Sequence, residues 1–245
     1  LCNQFKEILL LNPNQRILLV VDSDVDGFTS SAIMYSYLKK VKPDLHIDYI
    51  LHEGKGHGLS DLMDKIIEDD LKNELELRYI ILPDSSSNDY IFHEQLGVLG
   101  IKCLILDHHI VEEDTKFSEY AVIINNQLSE NYINKDLCGA GVAWQFCRYC
   151  DSREGRAYAD DLIDLAALGI ISDMMSVLSP ENRYIIYEGL RNIKNYYFLA
   201  LCEKQSFSMG GKLNPTTIAF YITPLINALI RVGAMDEKRR CFEAF

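Results

Sequence analysis

The sequence predicts an α/β fold in which a five-stranded, mainly parallel sheet flanked by helices is followed by a helical C-terminal half. Two observations support this prediction. Over the first half of the chain, short apolar runs alternate with helical patterns, the order that builds a parallel sheet with helices on both faces. Beyond residue 139 the strand pattern stops, and only helical segments follow.

The strands are justified by their apolar runs and by what ends them. The first, residues 16–22, is a continuous apolar run closed by an acid, which is typical of a buried parallel strand. A helical stretch follows it to about Lys40, and two further helices near 60–71 and 89–98 separate the next strands. The four remaining predicted strands are residues 46–51, 78–83, 101–106 and 121–125.

The helical half contains four apolar segments with helical periodicity and one polar loop, residues 203–214. No linker-like segment separates this half from the strands. We therefore expect one domain over residues 1–245, with a sheet half at 1–135 and a helical half at 136–235. The predicted helices of the second half are residues 139–151, 156–172, 181–195 and 215–233.

The composition, with 48% hydrophobic and 24% charged residues, is typical of a soluble globular protein. We expect a cytoplasmic protein with no membrane contact, because no apolar stretch of about 18 residues and no secretory signal is visible. The seven cysteines, Cys2 among them, favour reduced and mostly buried thiols, and the pair Cys147 and Cys150 falls late in a predicted helix, where we interpret it as structural.

The net charge of −12 by itself argues against a domain that grips nucleic acid by its phosphates, since such domains are usually basic. It fits a site that collects divalent cations. Both statements hold together if another domain supplies a basic surface.

Acids and histidines follow three of the predicted strands. They are Asp22, Asp24 and Asp26 after the first strand, Asp84 after the third, and Asp107, His108 and His109 after the fourth. Because ligands of open parallel sheets bind beyond the carboxyl ends of the strands, we expect these side chains to converge at one edge.

Carboxylates packed this closely repel one another and require a positive partner, and neither motif contains Lys or Arg. Oxygen ligands mixed with imidazole suit manganese, iron or zinc better than calcium. Two such ions, about 3.5–4 Å apart, activate a water molecule for in-line displacement at phosphorus. The sequence therefore predicts a two-metal phosphodiester hydrolase site.

Plainer interpretations exist for single groups. Asp26 or Asp84 alone would cap a helix more often than bind a metal. The run from Asp22 to Gly27 also resembles the start of a calcium loop, but Ile33 stands where that loop needs a glutamate. Taken together, the groups favour the metal site.

Four motifs, in order, resemble those of the DHH phosphoesterase superfamily, and within it the RecJ-like single-strand nucleases. The motifs are residues 22–27, Asp84, Asp-His-His at 107–109 and Gly-Ile-Ile-Ser-Asp at 169–173. Flanking segments at 56–59, 138–143, 180–183 and 224–231 resemble the RecJ branch. In these segments His57 stands in place of a tyrosine and Ile230 in place of a glycine.

The resemblance implies roles for the matching residues. The implied metal ligands are Asp22 (as ligand or as a residue that orients the others), Asp24, Asp26, Asp84, His108 and Asp173. Within this set Asp84 would bridge the two ions. The metals implied are two divalent ions, Mn²⁺ first and Mg²⁺ second.

Further roles implied by the resemblance concern protons and phosphate. Asp107 would hold His108 in place, and His109 would face the scissile phosphate as donor or acid. Asn227 and Arg231 would approach a substrate phosphate, for which the arginine fork is suited. A surface cation at a helix end is an equally good interpretation of Arg231.

The activity implied is a 5′-to-3′ exonuclease on single-stranded DNA, with a part in DNA repair and recombination. An oligonucleotide or cyclic-dinucleotide phosphodiesterase of the same superfamily is an alternative, and an inactive DHH binding module is the non-enzyme alternative, which lost ligands would mark. A pyrophosphatase would carry a histidine upstream of the paired acids, and residues 12–22 contain none.

Family members usually carry a C-terminal domain of the DHHA1 type, often with a Gly-Gly-Gly-His motif. This sequence has only Gly210-Gly211-Lys212. We expect the chain to be the catalytic core without that domain, with residues 236–245 as the start of the connecting helix.

Overall fold

The computed structural model of the chain describes residues 3–245 and contains the predicted five-stranded sheet, in which every strand pair is parallel. Cys2 lies outside the described residues; the six other cysteines are buried. The strands are β1 Gln15–Val21, β2 His46–Leu51, β3 Glu76–Pro83, β4 Lys102–Asp107 and β5 Ala121–Asn125.

Helices follow the strands on both faces and then make up the second half of the chain. In the first half they are α1 Asn3–Leu9, α2 Val25–Val41, α3 Met63–Lys72 and α4 Tyr90–Val98. In the second half they are α5 Gly139–Glu154, α6 Ile163–Ser172, α7 Pro180–Arg191, α8 Tyr196–Lys204, α9 Pro215–Tyr221, α10 Thr223–Val232 and α11 Met235–Ala244, with a 3₁₀ turn at Tyr158–Leu162.

The strand order in the sheet is β2-β1-β3-β4-β5. The chain leaves β1 toward one edge to form β2 and then returns past β1 to form β3. This reversal makes the carboxyl ends of β1 and β3 the topological switch point, where open α/β sheets form a ligand crevice. The sheet thus predicts the position of the site before any side chain is considered.

Alternate residues of β1 enter two different cores, because side chains of a strand point to opposite faces in turn. Ile17 and Leu19 are buried in the core that contains α2, α5 and α6, while Leu18 and Val20 are buried in the core that contains α3. The first core takes side chains from both halves of the chain. The helical half therefore completes one face of the sheet.

The second half differs from the predicted pattern at three places. The predicted helix 156–172 is a 3₁₀ turn at Tyr158–Leu162 followed by α6 at Ile163–Ser172. The predicted helix 181–195 ends at Arg191, because Asn195 caps a separate helix, α8, by accepting a hydrogen bond from the backbone N–H of Phe198. The predicted helix 215–233 is divided into α9 and α10 at Ile222. The pair Cys147 and Cys150 is buried within α5, as its late helical position indicated.

One stretch of the described residues, Pro215–Val232, is long and apolar enough to cross a membrane by length and composition alone. The prediction that no stretch reaches this length was therefore wrong by that criterion. The stretch is weak evidence for a membrane span, because helices of soluble proteins can pass the same test. Its isoleucines at 218, 222, 226 and 230 recur every fourth residue and are buried in the core shared by both halves.

Helix α4 buries a histidine without a hydrogen-bond partner. His93 is fully buried, and neither ring nitrogen forms a hydrogen bond within residues 3–245. Burial lowers its pKa below the ordinary 6.5, while Asp89 and Glu94 act in the opposite direction. His93 is therefore protonated at a higher pH in the unfolded chain than in the folded chain. As the pH falls below 6.5, this difference favours the unfolded state.

Replacing His93 with leucine should make stability less sensitive to acid. We expect the wild type to lose more unfolding free energy than His93→Leu on acidification, by up to about 1.4 kcal/mol for each pH unit below the ordinary histidine pKa. Urea unfolding on either side of that pKa measures the difference. His46→Leu, at an exposed histidine of β2, is the matched control and should keep the wild-type pH dependence. Equal pH dependence in wild type and His93→Leu would contradict the assignment.

Candidate metal centre

Seven side chains predicted to act at the site lie together at the carboxyl ends of β1, β3 and β4. They are Asp22 after β1, Asp24 and Asp26 at the start of α2, Asp84 after β3, Asp107 and His108 at the end of β4, and Asp173 at the C-terminus of α6. The switch point at β1 and β3 explains the first four, and β4, the neighbour of β3, adds Asp107 and His108. Asp173 joins them because α6 packs against α2.

The potential ligand atoms form three sets of three that share members, and the set of Asp84, His108 and His109 overlaps the other two. Asp22, Asp24 and Asp84 make up one set, and in each set the ligand atoms lie within 4.8 Å of one another. The second set is Asp26, His108 and Asp173, in which His108 Nε2 lies 3.9 Å from Asp26 Oδ2 and 3.6 Å from Asp173 Oδ2. Two neighbouring cation sites are the arrangement that these sets can provide.

Asp84 belongs to two of the three sets, and its carboxylate lies beside the ring of His108. Its Oδ1 atom is 3.1 Å from Nε2 of His108, but the two atoms do not form a hydrogen bond. Burial lowers the pKa of His108, which favours the neutral imidazole that a metal requires. Two potential ligand atoms this close, one from a carboxylate and one from an imidazole, are suited to a shared cation.

Several carboxylate oxygens at the site are buried without compensation. Oδ1 of Asp22, Oδ1 of Asp84 and Oδ2 of Asp173 have no hydrogen-bond partner among the described residues. Burial and the neighbouring carboxylates raise the pKa of Asp84 well above its ordinary value, and the same causes raise the pKa of Asp173 to about 7. Such oxygens are costly unless they coordinate a cation, so the donor set fits divalent metal.

Asp26 is oriented by a helix that begins more than a hundred residues later. Its Oδ2 accepts a hydrogen bond from the backbone N–H of Gly139 at 2.7 Å, and its Oδ1 accepts one from Ala140 at 3.0 Å. The N-terminus of α5 thereby fixes this carboxylate, since the first N–H groups of a helix have no partner within it. The cap of α2 is Asp24, which accepts from Gly27.

Glycines contact the carboxylates of the site where no side chain fits. A Cβ atom on Gly139 would lie 2.4 Å from Oδ1 of Asp84, and one on Gly169 would lie 2.5 Å from Oδ1 of Asp26. Gly27 packs against Asp22 in the same way. The glycines of the first and fourth motifs therefore set the distance between the helices and the carboxylates of the site.

The predicted role of Asp107 requires a correction. Its Oδ1 accepts from Nδ1 of His109 at 2.8 Å and from the backbone N–H of His108 at 2.7 Å, while its Oδ2 accepts from the N–H of Ser87. Asp107 therefore holds the ring of His109 and only the backbone of His108, because the His108 ring turns toward Asp84. Burial opposes ionisation, but these hydrogen bonds outweigh it and lower the pKa of Asp107.

Two histidines that the sequence analysis did not assign to the site come from the segment after β2. His57 Nδ1 lies 2.9 Å from Asp22 Oδ2, and its ring centroid is 4.7 Å from that of His109. This hydrogen bond raises the pKa of His57 to about 9. His52 is buried, with Nδ1 3.0 Å from Asp61 and Nε2 3.9 Å from Asp22. Both histidines follow β2, which lies beside β1 in the sheet, and this position could have indicated that they reach the site.

The final helix holds this segment from behind. Lys238 of α11 is buried, and its Nζ donates to the backbone carbonyl of Glu53 at 2.6 Å and to that of His52 at 3.3 Å. The ring of Phe242, also on α11, packs edge-on against Phe28 of α2. Helix α11 therefore packs on the same domain as the candidate site.

The predicted phosphate contacts lie on α10. Burial, with the charge of Asp26, raises the pKa of Asp24, and the charge of Arg231 acts in the opposite direction, so the guanidinium lies within electrostatic range of the site. Arg231 is exposed. Oδ1 of Asn227 is buried and has no hydrogen-bond partner among the described residues. Ile230, which replaces a glycine of the family pattern, is buried in the core shared by both halves.

Comparison with known proteins adds to this geometry. The model of the DHH family, N-terminal domain, matches residues 16–170. The chain is 40% identical over 235 residues to YorK of Bacillus subtilis, provisionally named an SPbeta prophage-derived single-strand DNA-specific exonuclease, with 96% of this chain and 39% of YorK covered. It is 28% identical over 231 residues to the single-stranded-DNA-specific exonuclease RecJ of the same organism, with 92% and 28% covered. The chain thus spans about two fifths or less of these relatives.

Solved structures agree with the sequence relatives. A crystal structure of exonuclease RecJ bound to manganese matches with a TM-score of 0.78 and 25% identity, covering 98% of this chain and 59% of that one. RecJ from Thermus thermophilus in complex with Mn²⁺ shares the fold, with a TM-score of 0.75, 23% identity and 98% and 33% covered. With the family model matched over well more than half of its length, the chain belongs to the DHH family.

Proposed function

We propose that this chain is the catalytic part of a RecJ-like exonuclease that hydrolyses single-stranded DNA from 5′ to 3′ with two divalent metal ions. The observation that carries the proposal is the cluster of three overlapping three-residue ligand sets, two of which share Asp84. Supporting it, the relatives YorK and RecJ bear the names of single-strand DNA-specific exonucleases. An inactive binding module is disfavoured, because every expected ligand position holds a ligand-bearing side chain.

The donor set supports Mn²⁺ first and Mg²⁺ second. Carboxylate oxygens suit both ions, and the imidazole of His108 favours the softer Mn²⁺. When bound, two such ions supply Lewis acidity and lower the pKa of a water molecule. Asp84 would be the bridging ligand between the set of Asp22 and Asp24 and the set that contains Asp26, His108 and Asp173.

The remaining residues would handle the proton and the phosphate. With Nδ1 of His109 donating to Asp107, Nε2 is the atom from which a proton reaches the leaving oxygen. The raised pKa of His109, caused first by this bond to Asp107, favours the protonated form that such a role requires. Asn227 and Arg231 would hold a substrate phosphate, and the charge of Arg231 acts on Asp24 in this structure.

The proposal also covers the full-length protein and its role in the cell. We propose that the full-length protein adds a C-terminal domain of the DHHA1 type, that residues 1–245 form the DHH catalytic domain, and that the enzyme acts in the cytoplasm in DNA repair and recombination. The net charge of −12 on this chain supports the division, since the basic surface for DNA would then come from the added domain.

A Mn²⁺-dependent assay on 5′-labelled single-stranded DNA, a dinucleotide and a cyclic dinucleotide tests the proposed function. We expect stepwise release of mononucleotides from the 5′ end of the strand. Hydrolysis of only the dinucleotide or the cyclic dinucleotide would replace the exonuclease with the alternative phosphodiesterase. Binding of the strand without hydrolysis of any substrate would indicate an inactive DHH binding module.

A further inference from the structure

An open groove of about 800 Å³ lies along the outer face of α7. Its floor is apolar and its rim carries tyrosines and arginines. It is lined by Val177, Pro180, Arg183, Tyr184, Ile186, Tyr187, Leu190 and Arg191, together with residues 213–215 that precede α9. None of the residues given to the metal centre lines it.

The charge of the groove is opposite to that of the chain. The chain has 36 acidic and 24 basic residues, yet the lining contains two arginines and no carboxylate. The carboxylate of Glu188, which is not part of the lining, lies with its Oε1 atom 3.9 Å from Nη1 of Arg191. Two tyrosines are exposed there, Tyr184 by 52% and Tyr187 by 63%. Aromatic faces beside guanidinium groups are the chemistry that binds single-stranded nucleic acid through bases and phosphates.

Helix α7 presents these side chains from a fixed backbone. Its inner face is buried through Asn182, Ile185, Ile186 and Gly189. A Cβ on Gly189 would lie 2.6 Å from Cβ of Ala167, so α7 packs closely on α6. The outward positions at 183, 184, 187 and 191 thus form one face of the helix.

One end of the groove is close in sequence to a residue of the candidate metal centre. Asp173 ends α6, and the groove lining begins four residues later, at Val177. The side-chain amide of Asn182 donates to the carbonyl of Ser176 at 3.0 Å and so fixes the connection. The 12 residues of α7 extend away from this end for roughly 18 Å, room for about five stacked nucleotides at 3.4 Å each.

We propose that this groove binds the single strand beyond the nucleotide being cleaved, with bases stacked on Tyr184 and Tyr187 and phosphates paired with Arg183 and Arg191. The inference rests on the proposed function, since it gives the exonuclease site a track for its substrate. It predicts that contacts along α7 contribute to binding of long strands and not to hydrolysis of a dinucleotide.

The test compares binding and hydrolysis in one set of variants. Fluorescence anisotropy with a labelled oligothymidylate, without Mn²⁺, measures strand binding. The double variant Tyr184→Ala/Tyr187→Ala should weaken it by about tenfold or more, and Arg183→Gln/Arg191→Gln should reduce the salt dependence by roughly 0.7 per arginine in log–log slope. Dinucleotide hydrolysis with Mn²⁺ should stay at the wild-type rate.

Tyr149→Ala/Tyr196→Ala is the matched control, because these tyrosines are exposed by 51% and 86% outside the groove. The proposal would be overturned if the Tyr184→Ala/Tyr187→Ala variant bound the strand with wild-type affinity, or lost no more affinity than the control variant. Groove variants that alter self-association in sedimentation but not strand binding would also overturn it, since the face would then join copies of the chain. A wild type that binds the strand but hydrolyses no substrate refutes the proposed function and leaves the binding comparison valid.

Discussion

Replacing Asp84 with asparagine is expected to reduce Mn²⁺-dependent phosphodiester hydrolysis about a thousandfold or more, because loss of the proposed metal bridge would remove roughly 4 kcal/mol of transition-state stabilisation. In the metal-free protein the same change should raise the melting temperature. Asp84 is buried among carboxylates, and its Oδ1 has no hydrogen-bond partner among the described residues. An amide there carries no charge, so the folded state loses a repulsion.

The opposite signs of these two effects separate a metal ligand from a structural residue. Asp151→Asn is the matched control, since Asp151 is also buried but accepts hydrogen bonds from Tyr37 and from the N–H of Ala159. We expect this control to lose stability and to retain hydrolysis. Kinetics with Mn²⁺ and thermal unfolding in EDTA measure both quantities. Full activity of Asp84→Asn would contradict the bridging role.

Gly139→Ala is expected to lower the hydrolysis rate on the order of a hundredfold, although this residue has no side chain and binds no metal. The added Cβ would lie 2.4–2.6 Å from the Oδ1, Cβ and Cγ atoms of Asp84, and the N–H of Gly139 also holds Asp26. One methyl group therefore displaces both Asp84 and Asp26, and a displacement of about 1 Å in a catalytic group can cost this much.

Gly54→Ala provides the comparison for this variant, because a Cβ on Gly54 meets nothing within 4 Å. We expect it to hydrolyse substrate like the wild type. Calorimetric titration of Mn²⁺ should show weaker binding for Gly139→Ala and unchanged binding for Gly54→Ala. If Gly139→Ala bound Mn²⁺ and hydrolysed substrate as the wild type does, the close contact with Asp84 would have no functional meaning.

The sheet could be predicted from the sequence because its strands are buried on both faces and read as uninterrupted apolar runs. Parallel pairing then sends Asp22, Asp84 and Asp107 to one edge, so these residues were predictable from local pattern and topology alone. Helix α8 was not, since its start depends on the cap by Asn195, inside a segment with continuous helical periodicity.

The finer contacts of the site could not be predicted, because they depend on side-chain directions across the fold. The ring of His109, not that of His108, reaches Asp107, and this follows from the position of His108 beside Asp84. His57 reaches Asp22 from a segment without regular structure, whose path no periodic pattern describes. The family pattern has a tyrosine at the position of His57, so it gave no indication of the hydrogen bond between His57 and Asp22.

The hydrogen bonds between Asp26 and the N-terminus of α5 span 113 and 114 residues of the chain. The ribosome must therefore synthesise the chain well beyond the last strand before this carboxylate acquires its native partners, and Asp173 is synthesised later still. Contacts so distant in sequence form slowly, after the local ones. During synthesis the strand half thus exists for a time without a completed centre, and the proposed hydrolase activity would emerge only as the helices dock.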